Sequence, residues 1–593
     1  MRFSSLFSMK TLAVFGVALA LFHALWFIGV TYLTRFQLPA WDLWEFLRWW
    51  ADRESVWRAI YEQYEHHRLV VLGSLVYLDQ VYLGGRYLSV YLVTIGATVA
   101  FSIWALVHLR RSVDDGQSFP FVAAALATGV FCLTNVEGYM HGFRAWVPLT
   151  LLLSALTMAC FARAVMAEGA AEGQRYLALT LLLAIVDNYT GASGMLIWPA
   201  LAVMAVLARA GWRAFLSMVI VGAATITVFL YGFAYFEHGD GGFVGATKAG
   251  GFANFLYPGR LFLSLIQFIG APMSQSFFIH PFSLVSLEFG MALGFLALAG
   301  IAWYGLRALF RPPETAVEVT ILGYLVFTMG WTITASVKHH PLPPEPWQPI
   351  FKSQDFIVAL TMVSALFAAI YVWMGSRRLP KTRVLFGLFA VGAAVLFVPL
   401  QLQMWPTSVR MSQEARLGGL GFASNVWEDG YTTHGFWHSK WVRANNGPKI
   451  TGFERSAGVH AILMRLAIPP LDHPAPRAVG GPFAEAFGAP PVTASCDGEL
   501  IGRSPVLEGV RLWGRLAPPE GARDVRLVLV NGDGLAVGAG EPFHRFKVRM
   551  PLEMPGYPPT GGWIGYARAG DVDPLVAVAV DGDGRQVCRL KAP

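Results

Sequence analysis

The chain has 593 residues, 55% of them hydrophobic and only 14% charged. A soluble chain of this length carries about a quarter of its residues as charge, so the composition excludes that class and points to a polytopic membrane protein. The formal net charge of +7 does not argue for nucleic acid, because the arginines cluster in short loops between apolar runs, as the positive-inside rule requires.

The first apolar run, 11–34, is longer than a signal-peptide core, and no small-residue cleavage site precedes "TRFQLPAW"; it is expected to stay as a signal-anchor helix. Ten more runs follow, at 88–109, 119–135, 146–166, 176–189, 194–209, 216–236, 284–306, 317–336, 356–375 and 384–403, which predicts a mainly α bundle of about eleven spans. Basic residues alternate along them. Lys10, Arg110 with Arg111, Arg163 with Arg175, Arg209 with Arg213, Arg307 with Arg311, and Arg377 with Arg378 fall on one side. The N-terminus is therefore expected in the cytoplasm and the C-terminus outside it. Residues 69–86 carry Asp79 mid-run, and 260–273 are broken by glycine and proline; both are expected to lie at the interface.

Beyond 403 the composition changes, which predicts a membrane domain over 1–403 and an extracytoplasmic domain over 404–593. Short alternating stretches such as "GVRLWGRL" and "DVRLVLVNGDGLAVGAG", broken by Asn-Gly and Gly-Asp turns, predict a β-sandwich. Cys496 and Cys588 flank that region while Cys132 and Cys160 lie in spans, so the outer pair is expected to be a disulfide. Trp427, Trp437, Trp441 and Trp513 are rings able to stack on sugar, if this domain holds carbohydrate.

The first external loop, 35–87, concentrates titratable groups. Trp49, Trp50 and Trp57 fit an interfacial aromatic belt. Arg48/Asp52 and Glu54/Arg58 are i,i+4 pairs on a solvated helix face. Asp42 and Glu45 stand a few residues beyond the membrane, where a carboxylate needs water or a task. Glu62, Glu65 and His66 share one helical face at i, i+3 and i+4, a pattern suited to acid–base work or to a divalent cation such as Mg or Mn. His67 and Arg68 follow directly. Other external loops add Glu137, His141 and Arg144, then Asp187 and Asn188, then Lys338, His339 and His340. A transporter would carry charge at mid-bilayer. Here the chemistry gathers at the water–lipid boundary, which suits an enzyme with a lipid-borne substrate.

The stretch "YEHHRLVVLGSLVYLDQVYLGG", followed by "NVEGYMHGFRAW", "TGASGMLIWP" and "FIGAPM", resembles the GT-C superfamily of polytopic glycosyltransferases, and most closely its bacterial members. The appended β-domain is similar to that of some arabinofuranosyltransferases. The resemblance implies a polyprenyl-phospho-sugar donor, a glycan or lipid-linked acceptor, and transfer at the outer face of the membrane. It places the loop acid at Asp42, the histidine and arginine at His67 and Arg68, and the following aspartate at Asp79. Glu65-His66 stands where the pattern has Asn-Glu, so Glu65 is the second acid or that acid is missing. "KSQDF" stands where an Arg-Tyr phosphate contact is expected. Asp42, Glu65 and His67 are thus the expected catalytic set. Donor and acceptor contacts are expected from Glu45, Glu62, His66, Arg68 and Asp79, and from Glu137, His141, Arg144, Asn188 and Lys338. The rivals are a non-catalytic component of polysaccharide assembly or export and a lipid or sugar flippase.

Overall fold

The computed structural model describes residues 9–35, 56–61, 68–83, 85–111, 119–133, 139–140, 142–232, 255–274, 287–339, 356–376, 380–424, 426, 471–506, 509–517, 521–543, 562–568 and 574–591. These fall into two compact units, bounded as Met1–Leu33, Ile60–Leu75 and Val90–Trp405 for one, and Thr34–Ala59, Val76–Ser89 and Pro406–Pro593 for the other.

The helices begin with α1 (Met9–Leu33), α2 (Val56–Tyr61), α3 (Val70–Tyr82), α4 (Leu88–Arg110), α5 (Phe119–Val130), α6 (Trp146–Met166) and α7 (Ala170–Asn188). They continue with α8 (Ile197–Leu207), α9 (Trp212–Leu230), α10 (Pro258–Ser274), α11 (Leu287–Phe310), α12 (Ala316–His339), α13 (Phe356–Ser376) and α14 (Pro380–Ala423). Among the described residues, 8 helices are long and apolar enough to cross a membrane by length and composition: α1, α4, α6, α9, α11, α12, α13 and the first half of α14. The three remaining predicted runs are helical as well. α5 is 12 residues long, α8 with the 3-10 turn before it covers Ala192–Leu207, and α7 begins with Glu172 and Arg175 in its first turns. The two segments expected at the interface are the helices α3 and α10.

Small residues let these helices approach closely, which is how apolar helices associate where burial gives no net gain. A Cβ on Gly270 of α10 would lie 1.9 Å from the Gly290 carbonyl oxygen of α11, and one on Gly294 would lie 1.9 Å from that of Ile266. Leu19 of α1, Phe121 and Ala124 of α5, and Val391 and Ala394 of α14 form one apolar cluster. A polar clasp crosses the same three helices. Gln401 is fully buried. Its Nε2 donates to the Phe131 carbonyl at 2.7 Å and to His23 Nδ1 at 3.0 Å, and its Oε1 accepts the Leu133 N–H at 2.9 Å. Because Nδ1 accepts, His23 carries its proton on Nε2, which bonds the Ala394 carbonyl at 3.2 Å. Every polar group of the clasp is thereby paired, as a buried network demands.

The predicted sandwich is corrected: among the described residues seven strands close into a barrel in the order β1-β2-β5-β4-β3-β6-β7. They are β1 (Ser495–Val506), β2 (Gly509–Ala517), β3 (Arg526–Asn531), β4 (Ala536–Phe543), β5 (Gly562–Arg568), β6 (Leu575–Val580) and β7 (Gln586–Lys591). Alternation in sequence marks strands and their buried faces but says nothing of which distant edge a strand will find. An odd ring cannot be antiparallel throughout, so one parallel pair must exist. It is β1 with β7, paired at Ser495↔Arg589 and Glu499↔Lys591. The expected disulfide, Cys496–Cys588, lies across that seam, with Cα atoms 5.1 Å apart. The last turns of α14 pack on the barrel through Leu417 and Leu420 against Ile564 and Tyr566. There Arg416 donates to the buried Glu541 of β4 at 2.9 Å, and that carboxylate raises the Arg416 pKa.

Candidate functional site

α6 and α7 are joined by three residues, Ala167 to Gly169, and so run antiparallel. α12 also opposes α6. Trp331 stacks on Trp146 with ring centroids 5.7 Å apart, and a Cβ on Gly323 would meet Met158 Sδ at 2.6 Å. The start of α6, the end of α7 and the end of α12 therefore share one side of this unit. Arg144 sits there, buried, in the 3-10 turn Phe143–Ala145. Trp146 lies under Gly191, where a Cβ would come within 2.8 Å of the indole, so the turn after α7 passes directly over that ring. Gly142 has φ 64° and packs on Tyr91, a left-handed turn that glycine adopts without strain. The Tyr91 hydroxyl in turn holds the Met140 carbonyl.

The end of α9 joins the same corner. Arg68 is buried; its guanidinium donates to the Tyr231 carbonyl just past α9 and lies over the Tyr61 ring at 4.3 Å. A cation at a helix C-terminus gains from the free carbonyls and the helix dipole. The Tyr61 hydroxyl donates to the Val228 carbonyl at 3.3 Å, and Tyr189, the residue after α7, lies 6.3 Å from Tyr61 and 5.7 Å from Phe229. Asn188 closes the set: its Oδ1 accepts from Trp198 Nε1 at 3.2 Å, while its Nδ2 has no partner. Two buried guanidiniums, an amide donor and a wall of aromatic rings thus stand at adjacent helix ends. Such a corner suits a phosphate attached to a lipid, which needs cations for its oxygens and apolar walls for its chain.

Asp79 has a different setting. Its Oδ2 accepts the Ser89 N–H at 2.7 Å, capping α4, and its main-chain oxygen accepts from Leu83 and Gly85 at the end of α3. It also raises the pKa of the buried Tyr87 phenol, after burial itself. Lys338 lies in the last turn of α12, seven residues after Trp331. Asp42, Glu45, Glu62, Glu65, His66, His67, Glu137 and His141 lie outside the described residues, and with them the predicted metal ligands. Among the described residues no group of three or more His, Cys, Asp or Glu is placed to hold a metal. A cavity of about 60 Å³ between α4, α5, α12 and α13 is walled by Phe101, Leu126, Ile321 and Ala368, and none of the candidate residues lines it.

The tryptophans at 146, 198 and 331 carry no sequence signal that separates them from an aromatic belt. An interfacial belt explains such rings equally well, and only their pairing with Gly191 and Asn188 reveals another use. Asp187 and Asn188, expected in an external loop, end α7 as buried residues.

No protein-family model matches the chain, and no curated protein matches it. A crystal structure of an oligosaccharyltransferase from Archaeoglobus fulgidus, in complex with zinc and sulfate, is similar over 66% of this chain and 53% of that one. The identity is 15% and the TM-score 0.39. This chain thus spans about half the length of that structure.

Proposed function

We propose that the protein is an integral membrane glycosyltransferase that moves a sugar from a polyprenyl-phosphate donor to a glycan or lipid-linked acceptor at the outer face of the cytoplasmic membrane. The observation that carries the reading is the gathering of buried Arg68, buried Arg144 and Asn188 at helix ends on one side of an apolar helical unit. Transfer turns a phosphodiester into a monoester dianion, so the leaving group needs positive charge rather than a proton. Arg68, Arg144 and Lys338 are the groups that supply it. The acceptor hydroxyl needs a base at the water–lipid boundary, and Asp42 is that base, with Glu65 and His67 as the other catalytic groups. Glu62, Glu65 and His66 are the residues that would hold a divalent cation, whose chemistry is to polarise the same phosphate oxygens. Glu45, Glu137 and His141 complete the acceptor side. Residues 1–403 form the catalytic membrane domain, and 404–593 an extracytoplasmic domain that holds polymeric acceptor, with Trp513 as one stacking ring.

One observation favours the second reading, a lipid or sugar flippase: Asp187 is a carboxyl fully buried within a helix. Sugar transfer by purified protein from a synthetic polyprenyl donor separates the two. Asp42→Asn should keep its melting temperature and donor binding while losing about 10²–10⁴-fold in rate. Asp52→Asn, on the solvated face, should change little, because exposed ion pairs contribute at most about 1 kcal/mol. Near-normal turnover in Asp42→Asn moves the base to Glu45, Glu62 or Glu65, and undiminished rates in all four defeat the enzyme.

A further inference from the structure

Tyr61 has no part in the donor scheme above, yet its contacts fix it closely. Its hydroxyl donates to the Val228 carbonyl at 3.3 Å, and its ring lies 6.3 Å from that of Tyr189, which the buried Phe229 braces at 5.7 Å. The Arg68 guanidinium lies over the Tyr61 face, with Cζ 4.3 Å from the ring centroid. Arg68 itself donates to the Tyr231 carbonyl, the residue that caps α9, and Val228 belongs to the last turn of that same helix. The chain therefore leaves at Tyr61 and returns at Arg68 to one helix end.

An arginine that must meet a phosphate with its fork loses rotamer entropy unless something orients it beforehand. An aromatic face does so without using a donor. The ring attracts the flat side of the guanidinium, whereas the N–H groups point outward in its plane, where a phosphate takes them two at a time. The ring and the Tyr231 carbonyl are both neutral, so neither cancels the charge on Arg68. Beside its Nη2 the wall is a glycine. A Cβ built on Gly232 would have Arg68 Nη2, at 3.9 Å, as its one neighbour within 4 Å among the described residues. Gly232 has φ 71°, a conformation that glycine adopts without strain and that keeps side chains out of this space.

We propose that Tyr61 is a positioning residue, whose ring holds the Arg68 guanidinium oriented for the phosphate oxygens of a polyprenyl-phospho lipid in the space that Gly232 leaves beside it. This rests on the lipid-phosphate reading of the corner and deepens it, so the test reads binding first and transfer second. The detergent-purified full chain is titrated with a polyprenyl monophosphate and, separately, with the matching polyprenol. The wild type should bind the phosphate more tightly than the alcohol. Tyr61→Leu should weaken the phosphate about tenfold and leave the alcohol unchanged, the size of effect expected for a desolvated arginine on a ring. Tyr61→Phe keeps the ring and should stay within about twofold of wild type. In an Arg68→Gln background Tyr61→Leu should add no further loss, because the two side chains act as one unit. A ring that only props the chain predicts otherwise: Tyr61→Leu would then weaken both ligands alike, whatever stands at position 68. If Tyr61→Leu does not fold, Tyr61→Met, which fills the space without a π face, takes its place. Phosphate binding equal to that of wild type, or losses that add to those of Arg68→Gln, would overturn the positioning role and leave the transferase standing. Wild-type binding no tighter to the phosphate than to the alcohol would overturn it as well. The expected binding pattern without any sugar transfer would keep Tyr61 in its role and remove the transferase reading instead.

Discussion

Asp79 sits midway along an apolar run in sequence, and in the fold its carboxylate is fully buried with Oδ2 on the Ser89 N–H. Removing a helix cap costs about 0.5–2 kcal/mol, and the Ser89 N–H would be left unpaired as well. Asp79→Ala should therefore lower the melting temperature, whereas Asp79→Asn, which keeps an accepting oxygen, should lower it less. Equal melting of Asp79→Ala and wild type would end the capping account. His473 gives a second test, in the barrel unit. Its Nδ1 accepts the Ala475 N–H at 3.0 Å, and its Nε2 donates to the Asp524 carbonyl at 2.9 Å, so the fold uses the neutral ring. Burial, followed by the nearby Arg526, lowers its pKa from the ordinary 6.5. Below pH 6.5 the unfolded chain then binds a proton that the folded chain refuses, so stability falls as pH drops through that region and is recovered above it. His473→Asn keeps a capping oxygen and should flatten that acid limb; an unchanged pH profile of melting would rule the ring out as its source.

At the level of elements, Gln401 concentrates the most consequence in one side chain. Gln401→Leu would strand the Leu133 N–H, the Phe131 carbonyl and His23 Nδ1 in an apolar interior, each at about 1–3 kcal/mol. A drop in melting temperature larger than that of Gln403→Leu on the same helix is expected, and equal drops would show that the clasp contributes nothing special. None of this pairing was readable beforehand. The apolar runs were, because a span advertises itself by length and hydropathy alone; among the described residues eight of the eleven predicted runs are helices of spanning length and apolarity, and the other three fall on helices that are shorter or more polar. What composition hides is the partner. His23 and Gln401 look like stray polar residues in greasy helices, and they meet only because α1 and α14, 378 positions apart at these residues, pack together. Asp187 was misplaced for the same reason: an Asp-Asn pair before a Thr-Gly turn reads as loop, yet α7 continues through both and packing covers them. The Arg68 corner was legible only in part, as a list of residues without their carbonyl and ring partners.

For the molecule as a whole, the basic residues predict opposite compartments for reporters fused after residues 111 and 410, and a cytoplasmic signal from both would overturn the proposed orientation. The barrel offers an independent test. Its disulfide joins residues 92 apart, a loop length for which cross-linking contributes about 2–5 kcal/mol. The Cys496→Ala, Cys588→Ala double variant should melt well below the wild type, and reduction should bring the wild type down to it. Coincident curves before reduction would show that the bond adds no stability.

The parallel seam has a consequence for assembly. Until β7 meets β1, the sheet has two long unpaired edges, and the contact that removes them spans most of the domain, so closure belongs to the slow steps of folding. Two unclosed sheets can satisfy each other, the β1 edge of one chain taking the β7 edge of its neighbour and the reverse. Exchange between chains then competes with closure within one, and it gains as concentration rises. Oxidation would fix whichever pairing came first, so a ladder of disulfide-linked dimers joining Cys496 of one chain to Cys588 of another is the expected trace of a barrel refolded too crowded to close on itself.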